Sequence, residues 1–183
     1  SATPQSIPQM PNPEGDRYLS VQAEGTKEKL NVRVLASRKH IGAGYRIISP
    51  FVTDGRRILL DRGFIKTDAP LTAPPDHPVE VFGNLHWPKD ADEYTPEPDL
   101  KNNIWFAREV GDLAQHFDTE PVLIIASNIK PAAPHIAPLP IDTAGIPNDH
   151  FQYALTWFSL AAVWTIMSFA FLWNTRQRTK GKD

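Results

Sequence analysis

"GYRIISPFVTDGRRILLDRGFI", from Gly44 to Ile65, sets two apolar arms on either side of Asp54-Gly55. Asp-Gly between apolar runs is a strong hairpin signal, because both residues tolerate the positive φ that a tight turn requires. "GYRIISPF" therefore reads as one strand and "RRILLDRGFI" as its partner. Pro50 sits late in the first arm and cannot donate to a ladder, which predicts an edge or a bulge there. "RILL" shows no polar alternation. That density fits a strand covered on both faces, as in a closed or nearly closed sheet.

Similar signals extend outward from this hairpin. Before it, "RYLSVQAEG" alternates and ends at Gly25, and "NVRVLAS" puts Val32 and Val34 to one side of Arg33. After it, "VEVFGNLHW" is a further strand, with Gly83 marking a bulge or a close approach. A polar, proline- and acid-rich loop follows Trp87, and "NIWF" resumes the apolar run. "GDLAQHF" predicts a short helix with Gly111 or Asp112 near its start, and "PVLIIAS" a last strong strand. The fold class expected is β-rich α+β, an antiparallel sheet or barrel-like domain with one short helix.

A different pattern begins at "PNDHFQYALTWFSLAAVWTIMSFAFLW", Pro147 to Trp173. From Phe151 it runs 23 residues without a charge. As a helix that is about 34 Å, enough for a hydrocarbon core of about 30 Å. Tyr153, Trp157 and Trp173 sit near the ends as interfacial anchors. The tail carries Arg176, Arg178, Lys180 and Lys182, whereas Pro131 to His150 has only Asp142 and Asp149 as charged acids and no Lys or Arg. The positive-inside rule then puts the tail in the cytoplasm (or a mitochondrial matrix) and everything before His150 outside. An external domain must be exported, and "SATPQSIPQMPNPEGDRY" has no apolar signal segment. An export signal or an earlier transmembrane helix upstream is therefore expected. The expected organisation is a proline-rich segment at 1–16, an external β-rich domain at 17–130, a proline-rich linker at 131–149, a transmembrane helix at 150–173 and a basic tail at 174–183.

Composition excludes several function classes. Among 183 residues there is no cysteine, so disulfides, thiolate metal sites and cysteine nucleophiles are ruled out. Net charge is −2 with scattered basic residues, which suggests no nucleic-acid surface. Proline, at 18 residues, is about twice its usual share of about 5% and argues against long helices in the external domain. None of the six histidines falls three or four residues from another, and neither a hydrolase elbow nor a P-loop occurs. Asp90, Asp92 and Glu93 lie in a polar loop, where solvation explains them better than acid–base work. No enzyme class has a motif behind it.

His150 differs through its neighbours. Asp149, three residues before Gln152, resembles a capping box and places His150 in the first turn of the helix, at the outer interface. The positive end of the helix dipole disfavours a protonated imidazole there, and the neutral ring is the form that donates a lone pair to a metal. Residues three, four and seven apart share a helix face, so His150, Tyr153, Trp157, Ala161, Trp164, Ser168 and Phe171 form one stripe. A flat apolar cofactor with a central iron suits such a surface, with one histidine as axial ligand. The same stripe equally suits packing against another helix.

"PNDHFQYALTWFSLA" resembles the C-terminal signature of the Surfeit locus protein 1 family, membrane-anchored assembly factors for haem–copper cytochrome c oxidase. "GYRIISPF" and "RRILLDRGFI" are similar to family stretches in the same order, and the likeness covers roughly Arg17 to Trp173. Phe64 stands where the family usually has tryptophan after Arg-Gly. The resemblance implies two transmembrane helices flanking an external domain, in the bacterial inner membrane with that domain in the periplasm, or in the mitochondrial inner membrane of a eukaryote. It implies a role in inserting or retaining haem a, with His150 as axial ligand to the haem iron and Tyr153 and Trp157 covering the macrocycle. Arg62 is a weaker candidate for a haem propionate, the alternatives being a structural ion pair or a strand-edge role. Implied partners are the cytochrome c oxidase core subunit, haem a synthase or other assembly factors, and membrane lipid. The alternative function is a docking chaperone that stabilises the core subunit without holding haem.

Overall fold

A computed structural model of the chain describes residues 3–38, 42–73, 77–141 and 150–180. The chain divides into two compact units, Ser1–Ile141 and Asp142–Asp183. The first holds strands β1 (Ser20–Lys27), β2 (Val32–Arg38), β3 (Gly42–Thr53), β4 (Arg56–Lys66), β5 (Val79–Leu85), β6 (Ile104–Trp105) and β7 (Leu123–Lys130), with helix α1 (Val110–Phe117) before β7. The second holds helix α2 (His150–Lys180).

The hairpin forms where Asp-Gly stands. Thr53 pairs with Arg56, leaving Asp54 and Gly55 as the turn with φ of 49° and 73°. Two positive φ values match the strand twist, which is why this pair of residues closes the turn.

The seven strands follow the order β1-β5-β7-β4-β3-β2-β6, and β1 also pairs with β3 through Thr26–Val52 and Lys27–Phe51. That extra pairing closes β1, β5, β7, β4 and β3 into a ring, with β2 and β6 extending from the other stretch of β3. The expected β-rich, barrel-like sheet with one short helix is what forms. It is mixed rather than purely antiparallel, since β4–β7 and β2–β6 run parallel. Parallel neighbours need long crossovers, and hairpin signals carry no information about them.

Pro50 and Gly83 mark the irregularities of this ladder. β3 stops pairing with β2 at Ile48 and starts with β1 at Phe51, so Pro50 falls between partners and its missing N–H leaves no gap in a ladder. Its carbonyl still accepts from the Glu28 N–H at 3.1 Å. The register of β5 on β7 shifts between Phe82 and Gly83, and a Cβ at Gly83 would collide with the Ile125 carbonyl oxygen. Gly83 is both a bulge and a close approach.

Burial follows the sequence pattern. Val32 and Val34 are buried on either side of exposed Arg33, and Ile58, Leu59 and Leu60 are fully buried, as a strand covered on both faces must be. α1 starts at Val110, one residue before Gly111, and buries Val110, Leu113, Ala114 and Phe117 at helical spacing. Residues 131–141 continue against the sheet. Phe64 and Ala137 exchange two backbone hydrogen bonds of 2.8 and 2.9 Å, and Ile136 packs with Ile47 and Ile65.

α2 contains a 21-residue apolar span, Tyr153–Trp173, with mean hydropathy 1.7 and its side chains exposed. At about 1.5 Å per residue this matches a bilayer core. Ser159 and Thr165 turn their hydroxyls back to donate to the Leu155 and Ala161 carbonyls at 2.7 Å. Such back-bonding satisfies polar groups where lipid offers no acceptor. The helix runs on past Trp173 and carries Arg176, Arg178 and Lys180 within it.

Candidate functional site

The sequence points to two places, one in each unit. His150 is the first residue of α2. Its side chain, like Asp149 and the capping box that Asp149 would close, lies outside the described residues. Three and seven positions on, Tyr153 and Trp157 are 66% and 69% exposed, and Trp164 is 74% exposed another two turns along. Helical spacing gathers the position of His150 with Tyr153 and Trp157 on one face.

Among the described residues no three His, Cys, Asp or Glu converge. A zinc or similar ion takes three or four protein donors. Haem brings its own four nitrogens and needs only an axial ligand and an apolar cover. His150 is the candidate for that ligand, and its side chain lies outside the described residues.

Arg62 lies in the β unit and is built in differently. β4 sets Arg62 and Gly63 opposite the single residue Ile47, because Asp61 pairs with Ile48 and Phe64 with Arg46. This bulge holds Gly63 at φ 115°, where a Cβ would collide with the Ala137 carbonyl oxygen. The Arg-Gly pair is therefore where residues 131–141 are seated on the sheet. The Arg62 side chain is only 1% exposed, and its Nε and Nη2 have no hydrogen-bond partner. Burial pulls its guanidinium below the usual range. The structural ion pair considered for Arg62 does not form at these atoms.

That ion pair belongs to its neighbour. Asp61 is fully buried and accepts from Arg46 Nε at 2.6 Å and from the Gly63 N–H at 3.0 Å, with Arg108 Nη1 at 3.9 Å. Burial pushes its carboxyl up, while Arg46, Arg108 and the Gly63 amide draw it back. Arg46 also donates to the Leu139 carbonyl at 3.1 Å, and Arg108 pairs with Asp90 at 2.6 Å. A carboxylate inside the apolar run "RILLDRGF" was the available signal for this network. Lys27 gave a weaker one, a basic residue on the apolar phase of β1. It is 3% exposed without a partner for Nζ, and burial together with Arg62 lowers its pKa to about 8.

The chain is similar in sequence to known proteins. The profile of the SURF1 family matches residues 1–162. The chain is 33% identical over 130 residues to a SURF1-like protein of Rickettsia felis, covering 64% of this chain and 56% of that one. It is 29% identical over 153 residues to Surfeit locus protein 1 of Takifugu rubripes, covering 79% and 62%. With the Xenopus tropicalis Surfeit locus protein 1 it shares 30% identity over 142 residues, 73% of this chain and 45% of that one. The chain thus spans about half the length of these curated relatives. The profile takes in the closed sheet, the buried Arg-Gly bulge and the histidine-headed start of the apolar helix together, and the chain belongs to the SURF1 family.

Proposed function

We propose that this protein is an assembly factor for haem–copper cytochrome c oxidase that holds haem a as cargo and helps insert or retain it in the core subunit. The observation that carries this reading is the exposed aromatic face that follows His150 on a helix of membrane-spanning length. In this reading the His150 imidazole is the axial ligand to the haem iron, and Tyr153 and Trp157 cover the macrocycle. The bound haem supplies a redox-active iron that the oxidase later uses. Arg62, buried in the β unit, is given no contact with the cargo. The protein sits in a bacterial inner membrane, or the mitochondrial one, with its β unit on the outer side. Its partners are the oxidase core subunit and the enzymes or factors that supply haem a.

A second reading has its own support, because Trp157 and Trp164 are exposed enough to dock on helices of the folding subunit. The variants His150→Ala and Trp157→Ala/Trp164→Ala, purified from cells that make haem a, separate the two. Haem lost from His150→Ala, with the core subunit still retained, supports haem carriage. Loss of the core subunit from the tryptophan variant, with haem absent from every sample, replaces it with a docking chaperone.

A further inference from the structure

Lys27, Ser49 and Arg62 share one face of three adjacent strands. Lys27 pairs with Phe51, Ser49 is two residues from Phe51 and pairs with Leu60, and Arg62 is two residues beyond Leu60. Paired residues and residues two apart point to the same side of a sheet. On β1 that side is the one buried at Val21 and Ala23, so the three side chains face the interior of the ring. Asp61 lies on the opposite phase, already held by Arg46.

All three side chains end in buried donors that have no acceptor among the described residues: Lys27 Nζ, Arg62 Nε and Nη2, and the Ser49 hydroxyl. Ser49 is 0% exposed, Lys27 3% and Arg62 1%. Arg62 acts on Lys27 electrostatically, and among the described residues no carboxylate shifts either one. Glu28, next to Lys27, is taken by Arg57 at 2.7 Å. Two like charges in one interior repel, and each costs several kcal/mol unless paired. Water can supply lone pairs to these donors but cannot neutralise the charge. An oxyanion supplies both, and a guanidinium beside an ammonium is the arrangement that recognises carboxylate or phosphate.

We infer that the interior between Lys27, Ser49 and Arg62 is an oxyanion-binding site, taking a carboxylate or phosphate group. The site stands on the β unit alone and is independent of haem carriage. Binding stabilises the folded state by mass action, so melting temperature rises with ligand concentration.

The test is thermal unfolding of the full chain in detergent at pH 7, at constant ionic strength, over series of sodium phosphate and of sodium acetate. The expected result is a rise on the order of 3 °C per tenfold increase in one of the two anions above its Kd. A response to phosphate alone identifies a tetrahedral ligand, and a response to acetate alone a carboxylate. Lys27→Met is expected to flatten the response while raising the melting temperature in anion-poor buffer, because one unpaired charge is gone. Unchanged melting across both wild-type series overturns the site, and so does an undiminished response in a folded Lys27→Met protein. If Lys27→Met does not fold, Ser49→Ala is read instead, and it should weaken the response.

Discussion

Gly63 and Gly55 both hold positive φ, yet they differ in what surrounds them. A Cβ at Gly55 meets nothing, whereas at Gly63 it meets the backbone of Ala137 and Pro138. Gly63→Ala should therefore cost about 3 kcal/mol or more, from backbone strain and the displaced chain together. Urea unfolding followed by tryptophan fluorescence measures it, and a loss below about 1 kcal/mol would mean that residues 131–141 are not seated there. Lys27 makes a second prediction. Its folded pKa of about 8 lies below the ordinary 10.5, so between these values the unfolded chain binds more protons and stability rises with pH. In anion-poor buffer the gain from pH 8 to 10.5 should approach about 3 kcal/mol relative to Lys27→Met, which lacks the titrating group. Equal pH profiles for the two proteins would remove the buried ammonium from the account. At this scale the sequence showed Arg62 but not its surroundings. The partners of Asp61 come from residues 15 and 47 positions away along the chain, and no local pattern records them.

The elements divide by how local their causes are. The Asp54-Gly55 hairpin, the bulge at Gly83, the short helix α1 and the apolar helix α2 were all legible, because turn chemistry and periodicity are properties of neighbouring residues. The parallel entry of β7 beside β4 was not, since it depends on a crossover through β5, β6 and α1. Residues 131–141 are the instructive case. Their prolines suggest a semi-extended connection, yet Ile136 is 8% exposed and packs with Ile47 and Ile65. Ile136→Ala should thus destabilise the β unit by about 2 to 3 kcal/mol, as truncation in a packed cluster does. The same change at Ile141, 37% exposed, should cost little. Matching urea midpoints for the two variants would make the whole stretch a tether.

At the scale of the molecule, a β unit without cysteines is joined to one helix of membrane length. The lack of cysteine in these 183 residues lets a single introduced cysteine report orientation. Single cysteines at Glu14 and Gln177 should react differently with a membrane-impermeant maleimide in spheroplasts, the first labelled and the second protected until lysis. The reverse pattern would invert the topology read from Arg176, Arg178 and Lys180. The exposed aromatics of α2 were visible in sequence as a spaced stripe, because helical geometry turns spacing into a surface. The charged interior of the ring was not, because only closure of the sheet brings β1, β3 and β4 around it. Haem carriage is read from the absorption spectrum of the detergent-purified protein from cells making haem a, quantified as pyridine haemochrome. Haem a at a fixed stoichiometry, lost in His150→Ala, is the predicted result; wild-type protein that retains the oxidase core subunit but carries no haem would contradict it.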